Sequence, residues 1–488
     1  MSEMEAQFEE TIPKRAIFKT KGSTNATIDK REQITWPANG SPVIDVPTGV
    51  RPPTVQFLLS GEVLLDMGKS FFQLQLKTNT WSAAMNGGIT SLFKSITIKL
   101  PSNGNQILEK IENLHILESA IRQIHCDEDS LLCKWNSGDH LYVGDRRAEN
   151  LAGNRRFTNL NKSGYRMFTF QLNASAILGP KMEKYFPLFL MNGVQLEIEL
   201  NRPEIAFTYN PAEETWGTLF DLVEGLPAQS EYDGLADDNA RLAVNRELRS
   251  FYERPDASGQ TLTYTIKDWV FVGNVIWMNQ NYVSALVKKA ESSEGFSITY
   301  DTFHMNRLNI TTTLHETIVL TDQFQNLRSC MLVAVDRRIL DNGGDLYSKF
   351  LPYLESFKYR VGARIWETID NASASEAQAY TQTLISANQY GMLKANSMGG
   401  YKGYPRNKNV FFHTFQRSDD GHSGIDTRDS KFLRLNFSCR QQPEVALPMG
   451  ANPYVIQTAL DPVHCTLLIW MKATHMLNIS SRGIAVTQ

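Results

Sequence analysis

Val194-Gln195-Leu196-Glu197-Ile198-Glu199-Leu200 alternates apolar and polar side chains at every position. A repeat of two puts successive side chains on opposite faces of an extended chain, so the segment predicts a strand with one face in a core and the other in water. Half-buried strands of this kind belong to antiparallel sheets. The pattern recurs upstream, where Phe72, Leu74 and Leu76 alternate with Gln73, Gln75 and Lys77. Ile96, Ile98 and Leu100 repeat it, as do Phe168, Phe170 and Leu172. Downstream it returns at Leu262, Tyr264 and Ile266, at Leu308, Ile310, Thr312 and Leu314, at Phe357, Tyr359, Val361, Ala363 and Ile365, and at Leu433, Leu435, Phe437 and Cys439, with a last strand near Cys465–Met471. Two helices are expected among the strands. One carries Ile107, Ile111, Leu114, Leu117, Ile121 and Ile124 at spacings of three and four; the other, around Ser375–Leu393, places Ala377, Tyr380, Leu384 and Ala387 on one face.

Between these blocks the pattern lapses. Residues 1–50 scatter Ile12, Ile17, Phe18, Ile28, Trp36 and Val43 without a period and are punctuated by proline and glycine. They are read as an extended N-terminal arm that becomes ordered on a partner. Residues 203–258 hold twelve acidic and four basic side chains, with Pro203, Pro211, Pro227 and Pro255 among them, and are read as an acidic interdomain connection with a short helix near Leu242–Phe251. That leaves two β units, residues 51–202 and 259–488. Each has enough strands for two packed four-stranded sheets. The expected fold class is therefore all-β: two tandem eight-stranded jelly-roll barrels with short inserted helices and long loops.

The 488 residues are 42% hydrophobic and 21% charged, which excludes wholesale disorder and small disulfide-stapled scaffolds. A net charge of −3 excludes a uniformly basic nucleic-acid binder. It conceals a basic cluster in the arm, Lys14, Arg15, Lys19, Lys21, Lys30 and Arg31, opposed by Asp29 alone between residues 14 and 31. The five cysteines, Cys126, Cys133, Cys330, Cys439 and Cys465, are odd in number and form no CxxC pair. With an acidic opening, MSEMEAQFEE, and no apolar run of about 20 residues, they point to reduced thiols and to synthesis in the cytosol without a signal peptide.

Motifs for chemistry fail on inspection. Gly68-Lys69-Ser70 lacks the upstream glycine of a phosphate loop, since position 63 is Val, and it leads into a strand rather than a helix. His125, Cys126, Asp127, Glu128, Asp129 and Cys133 lack the two spaced pairs of a structural zinc site. Asp341-Asn342-Gly343-Gly344-Asp345 departs from the calcium-loop pattern and reads as a turn. No nucleophile elbow or zinc-protease motif is present. The aromatics Trp269, Phe271, Trp277, Tyr401 and Tyr404 read as core and interface. No catalytic residue, cofactor or metal is expected, and the chain is read as no enzyme.

Tyr185-Phe186-Pro187-Leu188-Phe189-Leu190-Met191-Asn192-Gly193, running into the Val194–Leu200 strand, resembles the phrase that closes the first jelly roll in the double jelly-roll major capsid proteins of double-stranded DNA viruses, the polinton-like viruses and virophages above all. The resemblance implies a homotrimer whose six barrels form a pseudo-hexameric capsomer of an icosahedral virion. It implies neighbouring capsomers, penton proteins and minor or cement proteins as partners. It places the arm inside the shell, where Lys14, Arg15, Lys19, Lys21, Lys30 and Arg31 would meet an internal membrane or packaged DNA. Asp127–Ser163, the acidic connection and Lys394–Ser430 are the expected towers and lateral contacts. The alternatives are a two-jelly-roll enzyme that cleaves glycans and a lectin-like carbohydrate-binding protein, both of which usually carry a secretion signal and disulfides.

Overall fold

The computed structural model describes residues 28–79, 83–85, 88–125, 165–180, 182, 184–209, 263–309, 315–337, 340, 351–352, 354–369, 381–386, 410–415, 424–428, 432–439, 459–460, 465–481 and 483–487. Eight strands build a first sandwich: β1 (Ile28–Pro37), β2 (Thr54–Leu59), β3 (Leu64–Thr78), β4 (Phe93–Leu100), β5 (Gln106–Glu112), β6 (Arg166–Phe170), β7 (Val194–Leu200) and β8 (Thr263–Met278). They form two antiparallel sheets, ordered β1-β8-β3-β6 and β2-β7-β4-β5. Eight more build a second: β9 (Phe296–Asn309), β10 (His315–Leu320), β11 (Leu327–Asp336), β12 (Leu354–Val361), β13 (Arg364–Ile369), β14 (Phe411–Thr414), β15 (Leu433–Cys439) and β16 (Cys465–Ser480). Their sheets are ordered β9-β16-β11-β14 and β10-β15-β12-β13.

Adding eight to each label of the first sandwich gives the second. Within each, the first strand pairs with the eighth, the second with the seventh, the third with the sixth and the fourth with the fifth. That is one long antiparallel hairpin rolled up until its two layers face each other, which is the jelly roll. A helix lies between the fifth and sixth strands of both sandwiches: α1 (Leu114–His125) in the first, and helical residues 381–386 in the second.

Alternation places the core. In β7, Val194, Leu196, Ile198 and Leu200 are fully buried while Gln195, Glu197 and Glu199 are half-buried. Glu197 and Glu199 meet Lys99 and Lys94 of β4 on the outer face. Phe72 lies in register with Phe271 and Phe170, and the three rings meet Phe57 and Phe93 from the facing sheet, with Trp269 between them. Gly273 makes room for Trp36 to lie on β8: a Cβ there would stand 2.4 Å from the indole ring.

Four expectations change. Residues 28–50 are not a free arm: β1 pairs along β8, and Val43–Pro47 pairs with β8 further on. An edge strand buries few side chains, here Trp36 and Val46, too few to show a period. The segment from 203 to 262 does not join the two units. It leaves β7 and re-enters at β8, both in the first sandwich, whose final strand is β8 and not the start of the second unit at 259. Charge composition marks a break in the strand pattern without saying which strands lie on either side of it. The passage between sandwiches is α2 (Gln280–Ala290), capped by the Asn279 side chain on the Asn281 N–H, with Tyr282, Leu286 and Ala290 on its buried face. Third, Ile107 and Ile111 belong to strand β5, not to the helix, which begins at Leu114 after Asn113 turns the chain with φ 49°. Their spacing of four suits a helix, but pairing with β4 wins. Fourth, Lys394–Ser430 is not wholly loop: it contains β14, with Phe411 and Phe412 buried. The helix near Leu242–Phe251 and the Asp127–Ser163 tower lie outside the described residues.

Candidate assembly surface and the seam between the sandwiches

Of the six basic residues singled out in the arm, Lys30 and Arg31 lie on β1, exposed on the edge of the first sandwich. Lys30 pairs with Glu32 at 2.7 Å, and that bond with the lysine charge holds the Glu32 carboxyl below its ordinary range. Lys14, Arg15, Lys19 and Lys21 lie outside the described residues.

The weighed motifs find structural places. Gly68-Lys69-Ser70 sits inside β3, where the Ser70 hydroxyl donates to the Asp66 carbonyl at 2.7 Å and accepts from the Asn274 N–H at 3.1 Å. Trp269 and Phe271 are core, while Trp277 is partly exposed. Cys330 is a free buried thiol, pushed up to about 12 by burial. His125 ends α1, and the Cys126–Cys133 and Asp341–Asp345 stretches, with Tyr401 and Tyr404, lie outside the described residues. Among the described residues, no three His, Cys, Asp or Glu side chains are grouped to hold a metal ion.

What the sequence did not disclose is the seam. The edge strand β5 of the first sandwich meets the edge strand β9 of the second. Tyr300 donates its hydroxyl to the Leu108 carbonyl at 2.7 Å. Thr302 donates to the Glu109 carboxylate at 2.8 Å. Asn113 Nδ2 reaches the Met305 sulfur at 3.0 Å, Trp470 donates to the Glu112 carbonyl at 3.4 Å, and Asn103 donates to the Ile484 carbonyl at 2.7 Å. Glu109 is 1% exposed and also accepts from Ser175 Oγ at 2.5 Å and from the N–H groups of Ala176 at 2.8 Å and Ile177 at 3.4 Å. Burial raises its pKa, and the four hydrogen bonds pull the other way. The fully buried Glu118 of α1 accepts from the Ala174 N–H at 2.7 Å. Two carboxylates thus fix the segment after β6, and one of them also grips the second sandwich. A period-two reading of β5 puts Glu109 on the same face as Ile107 and Ile111, and nothing local marks it as a crossing point.

No family model matches the sequence, and no curated protein does. Solved structures do match along nearly the whole chain. The PBCV-1 protein VP54, fitted into a reconstruction of the virophage Sputnik, superimposes with a TM-score of 0.53 at 11% identity, covering 96% of this chain and 98% of its own. A chain from the Sputnik virophage structure gives 0.54 at 10% identity, covering 96% and 90%. The matched chains are double jelly-roll major capsid proteins. The chain has their fold. At such identities the likeness lies in the path of the backbone. The double jelly roll expected from alternation is the architecture found, with its boundaries moved as described.

Proposed function

We propose that this double jelly-roll chain is the major capsid protein of an icosahedral double-stranded DNA virus and is located in the virion shell. The observation that carries this is the duplication: one chain repeats the same eight-strand connectivity in tandem, and solved chains with the same fold over nearly their full length are capsid proteins. Two similar barrels per chain give six around a threefold axis, so a homotrimer forms a pseudo-hexagonal tile that packs against six neighbours. The partners are then further copies of the chain and the penton and minor proteins that close the shell. Lys14, Arg15, Lys19, Lys21, Lys30 and Arg31 would face the interior, toward membrane or genome, with β1 anchoring the segment to the first sandwich.

The test is the mass of the purified protein in solution, followed by imaging. A trimer of about 166 kDa, three times 55.2 kDa, with a hexagonal outline is expected. A stable monomer, or any glycan-cleaving or sugar-binding activity, would remove the proposal. Deleting residues 1–27 should leave trimers intact but impair particle formation. Complete, stable particles from that variant would refute the interior role of the arm.

A further inference from the structure

On β9 and β16, Tyr300, Thr302 and His304 share a face with Met471, Ala473 and His475. Tyr300 stands opposite His475, Thr302 opposite Ala473 and His304 opposite Met471. The two histidines reach each other diagonally over the small Thr302–Ala473 pair, with their Nε2 atoms 2.8 Å apart and their rings stacked at 4.9 Å. His475 is 3% exposed, and its Nδ1 has no hydrogen-bond partner. Phe324 lies against the His304 ring and Tyr300 against the His475 ring. Both histidines line a cavity of about 450 Å³ whose other wall is β5 of the first sandwich. The residues between and beside them, Thr302 and Tyr300, are two of those that bond across the seam.

We propose that the His304–His475 pair is an acid-released latch: with a single proton between the facing nitrogens it holds β9 and β16 in the geometry that carries the Tyr300 and Thr302 bonds to the first sandwich, and a proton on each nitrogen drives the rings apart and loosens the seam. Two N–H groups cannot face each other at hydrogen-bond distance, so the doubly charged pair has to separate. The surroundings supply little compensation. Asp301 is engaged by Arg328 and by the Thr474 hydroxyl, and Asp322 accepts from Asn306. Lys472 lies over the Phe303 ring, and from β5 the cavity is faced by Glu109, Lys110 and Glu112.

The sign follows from burial. Desolvation lowers the pKa of His304, against a smaller opposing pull from Asp322. Desolvation and then the His304 charge bring His475 down to about 4, against Asp301. The unfolded chain therefore binds these protons first as pH falls below about 6.5, and stability drops from there down through the folded value. Glu109 acts oppositely. Its raised pKa favours the fold as it gains a proton, and that contribution is lost as pH rises through its folded value.

The test is hydrogen exchange of the full chain from about pH 7.5 to about pH 4, corrected for the intrinsic rate. Protection in β5 and β9 should fall by about tenfold or more below pH ~6, before β3 and β11 are affected. In His475→Gln, which keeps hydrogen-bonding capacity without titrating in this range, the loss of seam protection below pH ~6 should be largely removed; His304→Asn serves as the second variant should the first not fold. Glu109→Gln should retain the loss. Wild-type seam protection unchanged down to pH ~4, loss simultaneous with the core strands, loss persisting in the histidine variants, or loss abolished by Glu109→Gln would each overturn the proposal.

Discussion

Comparable cross-strand rows of the two sandwiches are filled by different chemistry. In the first, the row across β8, β3 and β6 reads Phe271, Phe72, Phe170, closed from the facing sheet by Phe57 and Phe93. In the second, the row across β16, β11 and β14 reads Met471, Cys330, His413, with the His413 ring stacked on Tyr359 of β12. Connectivity is identical and residue identity is not. The pairing order is a property of strand number and loop length. The filling has only to match volume and exclude water, so sequence is free to diverge behind a fixed path. This explains how a chain can follow known capsid proteins over nearly its full length at 10–11% identity.

The largest expected effect breaks the comparison on its aromatic side. Phe72→Ala should cost about 3–5 kcal/mol, measured by chemical denaturation, because it removes a ring in contact with four others. Gly273→Ala should cost about 1–3 kcal/mol, since the new methyl has to displace the Trp36 ring or Leu65. Rescue by Trp36→Leu would identify the clash as the cause. Glu109→Ala should cost a comparable ~1–3 kcal/mol by leaving buried N–H and hydroxyl donors of both sandwiches unpaired, and hydrogen exchange should show the loss at β5, β9 and residues 174–177. Cys330→Ala, on the third strand of the second sandwich, should cost only about 1 kcal/mol. A cost equal to that of Phe72→Ala would mean that the second core is as tightly specified as the first. Lys94→Ala, on the outer face of the first sandwich, should change stability by about 0.2–1 kcal/mol and less at high salt.

Central half-buried strands were legible because their two faces differ. Val194–Leu200 and Phe72–Leu76 state their burial in their spelling. Edge and tertiary features were not. β1 is specified by β8 more than by its own side chains, and β14 is only four residues long. α2 was missed although Tyr282, Leu286 and Ala290 recur every four positions, because three residues in eleven are a faint stripe beside two long strands. The seam depends on which edges meet, and no local pattern encodes that. Glu109, His304 and His475 each look like an ordinary polar residue in a strand until β5 and β9 are brought together. Of the basic cluster, composition revealed the charge, and pairing placed only Lys30 and Arg31.

The rolled hairpin also dictates a timetable. β1 cannot close on β8 until the ribosome has passed Met278, since Ile28 pairs with that residue. The strands laid down first wait longest for their partners, with residues 203–262 still to come between β7 and β8. Once β8 is out, the first sandwich has every strand it needs while none of the second has emerged. At about 5–20 residues per second, the first half has on the order of ten seconds or more to close alone before β16 appears. The seam residues of β5 are then already in place as a template when β9, the first strand of the second sandwich, arrives.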